Sequence, residues 1–330
     1  MEKIDSSFRI PHTYAVWSKD ARIRFESTSG GVFSEFAKFI LECGGVVIGA
    51  AYSNNNTVKH IAIDRLEDLC RLRQSKYISS SLGTIFEQTK KYLTQGKLVG
   101  FCGAPCQVSG LYSFLNKDYD NLFTMDFICR GMNSPKAFLS WLHEIEVKEN
   151  KKVTRVWFKY KVGGWKSSPR RTRLDFEDHS YKVYSEDENL FMLGYLNSTI
   201  YIRPCCFDCK FKGVAHDSDV TFADFWGVEN KYDDDKGTSL LLVNSDKGEL
   251  FFNKIKNNLY VYENLFENVV KKNPMQYYSV KKTENSDKFF YALDSQPFSS
   301  ALKKYGKISS NKSFFIRVRK IVKKIIFKLH

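Results

Sequence analysis

Residues 98–131, LVGFCGAPCQVSGLYSFLNKDYDNLFTMDFICRG, decide the fold. Residues 98–101 form a short apolar run stopped by a Gly103-Ala104-Pro105 turn; a helix-forming stretch follows, and a second apolar run beginning near Leu122 ends at Cys129. Short apolar runs bounded by turn residues read as strands. Strand, tight turn, helix and strand in succession build an α/β body, in which ligands sit where strands end and helices begin.

The same alternation extends outward. Residues 10–20 (IPHTYAVWSKD) read as a strand, residues 27–31 as a glycine turn, and VFSEFAKFILECGG from Val32 as a helix. A glycine pair opening a helix exposes backbone N–H groups that suit a phosphate, and it is equally an ordinary helix cap. VVIGAAYS, the Asn54-Asn55-Asn56 turn and VKHIAID form a hairpin. Residues 65–97 carry two helical patterns interrupted by Gln74-Ser75-Lys76-Tyr77, a polar and therefore exposed break. From Lys151 the pattern changes to short strands (VTRVWFKYK, RTRLDFED, YKVYSE), an antiparallel β-meander inserted into the body. ENLFMLGYLN reads as a helix, DVTFADFWG and DDDKGTSLLLVNS as strands with turns, and GELFFNKIKN as the helix that closes the body. The expected class is mixed α/β. Its expected segments are 1–150 and 186–300 as parts of one domain, 151–185 as the inserted meander, and 301–330 as a tail.

A chain of 330 residues with 43% hydrophobic and 15% aromatic content can bury a large core. It holds no run of 18 consecutive apolar residues, and MEKIDSSFRIPH lacks the pattern of a signal peptide, so a cytoplasmic location is expected. The formal charge is +14, but ten Lys or Arg and no acid fall between Lys303 and His330, leaving +4 on the other 302 residues. The basicity belongs to a tail, and no nucleic-acid partner is expected. In residues 312–330, Phe315, Val318, Val322, Ile325, Ile326 and Leu329 share a helical face while Arg317, Lys320, Lys324 and Lys328 lie largely elsewhere. Such a basic amphipathic helix suits peripheral contact with an anionic inner-membrane surface, or docking on the protein's own core.

Eight cysteines in a reducing compartment point to thiol or metal chemistry rather than disulfides. Cys43 and Cys70 sit in helix-like apolar patterns and read as small core residues. Cys206 and Cys209 form a C-x-x-C pair, which alone fits zinc, an iron–sulfur cluster or a redox dithiol. Cys106 and Cys129 each end or just follow an apolar strand, so one edge of the sheet can bring both sulfurs to that pair. The spacing differs from the compact ferredoxin run, and zinc stays open on spacing alone. Cys102 is expected to point the other way, and Cys205, next to a ligand candidate, cannot easily point with it.

Seven ordered stretches, STSGGVFSEFAKFIL, KYISSSLGTIF, LVGFCGAPCQVSGL, FICRGMNSPKAF, IRPCCFDCKFKG, DVTFADFWGVE and DDDKGTSLLLVN, resemble the C-terminal domain of the coenzyme F420 hydrogenase and dehydrogenase beta-subunit family over roughly residues 12–255. The resemblance implies an oxidoreductase with FAD and one [4Fe-4S] cluster, passing electrons through the flavin, with coenzyme F420 as a candidate substrate. Matched position by position, it implies Cys106, Cys129, Cys206 and Cys209 as cluster ligands. The matching loops place Ser29, Gly30 and Gly31, then Ser75, Lys76 and Tyr77, then Asp224, Trp226, Lys236 and Gly237 at the flavin. Lys76 or Lys236 would carry charge to phosphate or reduced flavin. The ferredoxin-like domain of longer relatives is not matched, so a ferredoxin-like donor or partner subunit is expected. Arg130 stands where the family usually has His, and Gln74 where it usually has Gly. Short relatives of this kind are associated with polysaccharide biosynthesis. The alternative is a non-catalytic accessory protein of a polysaccharide assembly complex with a structural metal site.

Overall fold

The computed structural model describes residues 7–167, 171–185, 187–214, 216–267 and 272–306. Of the expected tail, residues 307–330 lie outside the described residues, while Ala301 and Leu302 are buried in the body, so a tail boundary at 301 is too early. The strands run β1 (Ser7–Ser18), β2 (Val46–Tyr52), β3 (Val58–Ile63), β4 (Val99–Cys102), β5 (Leu122–Phe127), β6 (Val153–Phe158), β7 (Thr172–Phe176), β8 (Tyr181–Tyr184), β9 (Val220–Asp224), β10 (Ser239–Ser245) and β11 (Leu259–Asn264). Eight of them form one sheet in the order β11-β1-β10-β9-β5-β4-β2-β3, and β6-β7-β8 form a separate antiparallel sheet, the inserted meander. Within the large sheet β2, β4, β5 and β9 are parallel neighbours. Antiparallel β3 closes one side, and β10, β1 and β11 extend the other.

Helices α1 (Ala21–Glu26), α2 (Val32–Glu42), α3 (Leu69–Leu72), α4 (Ile85–Thr94), α5 (Pro105–Leu115), α6 (Pro135–Glu149), α7 (Leu190–Asn197), α8 (Asp246–Ile255), α9 (Ser286–Ala292) and α10 (Phe298–Tyr305) cover these sheets. Alternation along β2 shows how both faces fill. Val47 packs with Phe36 and Ile40 of α2 and Phe252 of α8, while Val46 and Ile48 pack with Ile85 of α4 and Val108 and Leu111 of α5. The sheet is therefore buried on both sides, and its central strands read as near-continuous apolar runs. The small sheet shares a third core with α6, α7, α9 and α10, built on Phe138, Trp141, Phe158, Phe191 and Phe298.

The structure corrects several expectations. Cys43 and Cys70 are exposed, not core, because Cys43 caps the end of α2 and Cys70 lies on the outer side of the one-turn α3. Residues 74–77 are only in part a solvent break: Ser75 is exposed, but Gln74 adopts a left-handed φ of 70°, and Lys76 and Tyr77 line a cavity described below. That conformation costs an L-residue about 1–2 kcal/mol, and here the Gln74 side-chain amide donates to the Glu26 carbonyl at 3.0 Å. Glycine would hold the turn without that cost. The helix beginning near Gly248 does not close the body, since β11 adds an edge strand and α9 and α10 follow it. Cys102 lines that cavity and is not an electrostatic neighbour of Cys106, Cys129 or Cys206.

Gly30 is required by packing alone. A Cβ there would lie 2.4 Å from the Val16 carbonyl oxygen and 2.9 Å from the Ser239 amide, so any side chain would lift the loop before α2 off β1 and β10. Among the described residues no helix is long and apolar enough to cross a membrane.

A cysteine cluster beside a basic cleft

Because β4, β5 and β9 lie side by side and parallel, their carboxyl ends open on one edge of the sheet. Cys102 ends β4, and Cys106 follows on the first turn of α5. Cys129 lies two residues beyond β5; Asp224 ends β9 and Trp226 lies two residues further on. A distant segment, the short 3-10 turn Pro204–Asp208, brings Cys205 and Cys206, with Cys209 just after it. Its anchor is the loop after Cys129: Asn133 pairs with Ile202, the Arg203 amide donates to the Met132 carbonyl at 2.9 Å, and the Met132 amide donates to Cys206 Sγ at 3.5 Å. Gly131, at φ +134°, makes this approach possible, since a Cβ would sit 2.9 Å from Ile202 and 3.4 Å from Cys206.

The thiols influence one another. Cys106 is exposed as a residue, yet desolvation of its thiol pushes it up to about 11, with Cys209, Cys206 and Cys205 adding to it. Burial pushes Cys129 up to about 12, opposed by Lys212 and reinforced by Cys206 and Cys106. Burial also raises Cys206. Among the described residues no three His, Cys, Asp or Glu side chains could hold a single metal ion.

A cavity of about 650 Å³ adjoins this cluster, within the 300–1,000 Å³ typical of ligand sites. Of the residues selected from sequence, Ser29, Gly31, Ser75, Lys76, Tyr77, Asp224, Trp226 and Cys129 line it; Gly30, Lys236 and Gly237 stand behind the wall. The Lys236 carbonyl accepts from Lys161 at 3.1 Å, and the Gly237 carbonyl from Arg24 at 2.9 Å. Lys76 Nζ donates to the carbonyls of Arg71, Leu72 and Arg73 at 2.7–3.1 Å, closing the end of α3. Among the described residues the wall carries Arg73, Lys76, Arg130, Lys159 and Lys272 against one carboxylate, Asp224. Such a wall favours an anionic ligand.

Three wall residues hold a buried polar atom without a partner: His60 Nδ1, Arg130 Nε and Asn273 Nδ2. Buried polar atoms are normally paired, so these are positions a polar ligand can satisfy. His60 Nε2 lies 3.1 Å from the Cys102 carbonyl, which fixes the proton on Nε2 and leaves Nδ1 as an acceptor. The ring stacks on Phe101 with centroids 5.5 Å apart. Burial pushes the imidazole down to about 4 from its ordinary 6.5. Below pH 6.5 the unfolded chain takes up a proton that the folded chain does not, so this stabilising term is whole above 6.5 and is lost as pH falls toward 4. At a conversion of about 1.4 kcal/mol per unit, the loss is of order 3 kcal/mol. Urea unfolding at pH 7 and pH 4.5 should show His60→Gln losing less stability on acidification than the wild type; equal losses would rule this out.

The residue sequence reading missed is Lys159, one position past β6 with a left-handed φ of 54°. Its ammonium pairs with Asp224, whose other oxygen accepts from Ser29 Oγ, and it lies 5.2 Å over the Trp226 ring. Trp226 stacks on Trp165, centroids 4.5 Å apart and 9° between planes. Lys161, also buried, donates to the carbonyls of Arg24, Ser29 and Lys236. Burial pushes both ammonium groups down to about 7. The small sheet thus fastens by two buried lysines to the loops that frame the cleft. Two lysines inside the aromatic run WFKYKVGGW were the available signal.

Comparison with known proteins adds two findings. The family model for the C terminus of the coenzyme F420 hydrogenase/dehydrogenase beta subunit matches residues 96–269. Among solved structures, a chain of the F420-reducing [NiFe] hydrogenase complex from Methanosarcina barkeri superposes with a TM-score of 0.55 at 15% identity, covering 94% of this chain and 97% of that one, a likeness of fold. No curated protein sequence matches.

Proposed function

Since this chain belongs to the coenzyme F420 hydrogenase/dehydrogenase beta-subunit family, we propose that it is an iron–sulfur flavoprotein oxidoreductase, with a [4Fe-4S] cluster on Cys106, Cys129, Cys206 and Cys209 and FAD in the adjoining cleft. The observation that carries this reading is the double position of Cys129, which lines the cleft and is an electrostatic neighbour of Cys106 and Cys206. Four cysteine sulfurs are the donor set that a [4Fe-4S] cluster takes, and Cys106, Cys129 and Cys206 lie within electrostatic reach of one another. When bound, the flavin exchanges two electrons as hydride while the cluster takes them one at a time.

The chain's own residues supply binding and charge. Lys272 presents a cation for a diphosphate while Arg73 and Lys159, already paired with Glu26 and Asp224, add to the positive wall; the loop Ser29 to Gly31 lets backbone approach the ligand, and the Trp226–Trp165 stack offers an apolar platform. His60 Nδ1 offers a buried acceptor that fixes ligand orientation. Residues 1–150 and 186–300 act as one cofactor-binding unit, which the meander 151–185 interrupts and latches. Electrons arrive from a ferredoxin-like donor, a partner subunit or reduced coenzyme F420, and the acceptor belongs to polysaccharide biosynthesis.

Purification without oxygen, followed by iron, acid-labile sulfide and flavin analysis, tests the reading. The expected preparation is brown-yellow and holds iron, sulfide and FAD. A colourless, zinc-containing preparation would overturn it in favour of an accessory protein.

A further inference from the structure

Lys212 lies three residues after Cys209, and its side chain bridges two loops. Its Nζ donates to the Cys129 carbonyl and, at 2.5 Å, to the Met275 carbonyl. Cys129 and Met275 both line the cleft, so the ammonium sits at the seam between cleft and thiols. It is partly buried and within electrostatic reach of Cys129, Cys209 and Cys206. Among the described residues no carboxylate pairs with it. Its neighbour Lys210 is the opposite case, 77% exposed and paired with Asp208 at 2.7 Å. A partly buried cation bonded only to carbonyls is costly unless an anionic group stands opposite it. Thiolates gathered on one cluster supply that group.

We infer that Lys212 is the fixed positive charge that raises the reduction potential of the cluster. The inference rests on the cluster reading above. On reduction the cluster gains one electron, taken in a titration from dithionite, and no bond forms or breaks. A cation beside it stabilises the more negative, reduced form over the oxidised one, which raises the potential. The two carbonyl contacts hold the charge in place, so its effect does not depend on a mobile surface side chain.

The test is an EPR-monitored redox titration of the anaerobically purified full chain. Lys212→Met and Lys212→Gln should keep iron and flavin but lower the midpoint, so that at the wild-type midpoint the reduced-to-oxidised ratio falls about tenfold, 59 mV for a one-electron couple. Glutamine, one bond shorter, keeps an amide donor without the charge, so its agreement with methionine assigns the effect to charge. Lys212→Arg should stay close to the wild type, and Lys210→Met should leave the midpoint unchanged. An iron-loaded Lys212→Gln protein with the wild-type midpoint overturns the inference and leaves the cluster reading intact. A wild-type protein without iron removes both.

Discussion

Replacing Cys206 with serine should strip the protein of iron and, with it, much of its resistance to unfolding. A hydroxyl is a far weaker ligand for iron than a thiolate, and ligation favours the folded chain because the site does not exist in the unfolded one. Cys206 also sits where two long-range segments meet, the loop after β5 and the turn at Pro204. Iron per chain in Cys206→Ser should fall about tenfold on anaerobic purification, with an earlier urea midpoint. Cys43→Ser and Cys70→Ser, altered at exposed sites, should keep both iron and stability. Cys205→Ser should keep iron as well, although its neighbour Cys206 is a proposed ligand. If Cys206→Ser retained as much iron as Cys43→Ser, the ligand set would be wrong.

The second large effect concerns Lys159. Its pair with Asp224 is buried, the two side chains being 6% and 14% exposed. Removing one member of such a pair leaves the other charged and uncompensated, at about 3–5 kcal/mol. Ser29 still donates to Asp224, so Lys159→Met should cost near the lower end. Removing the other charge as well identifies the cause. Lys159→Met combined with Asp224→Asn should recover most of the loss at pH 7. Urea unfolding of the single and double variants measures both points. A single variant as stable as the wild type at pH 7 would show that the pair contributes nothing. The same variant should hold FAD weakly, since Lys159 lines the cleft.

Local pattern was enough for much of the fold. The run from Leu98 to Gly131 reads directly as β4, α5 and β5, because buried strands must be apolar and turns need Gly and Pro. The β2–β3 hairpin and the meander were legible for the same reason. Strand order was not: β1 lies between β10 and β11, partners more than 200 residues away, and nothing within a strand names a partner so distant. Edge strand β11, half exposed and short, carries little periodic signal.

The candidate site was legible where motifs are short and illegible where backbone conformation breaks the period. Asp224 and Trp226 stand at the end of β9, where ligands are expected, and Ser29 in the loop between α1 and α2; all three line the cleft. Lys159 was hidden because residues 156–161 are all buried, the left-handed turn at Lys159 defeating the alternation that would put a lysine outside. Gln74 hid the inward turn of Lys76 and Tyr77 in the same way. His60 reads as one more residue of a hairpin, and only its partner at the end of β4 gives it a role.

The pairing of β1 with β10 and β11 also bears on how the chain is born. The ribosome releases β1 first, but its two neighbours are complete only once Asn264 has been made. The parallel core of β2, β4 and β5 can collapse earlier, with one open side waiting for β9. Closing such distant contacts is slow, and unpaired strand edges invite association in the meantime. Assembly of any metal centre on Cys106 and Cys206, a hundred positions apart, has to wait until the segment around Cys206 has been made and has met the loop after β5, so iron delivery cannot act on the first half of the chain alone.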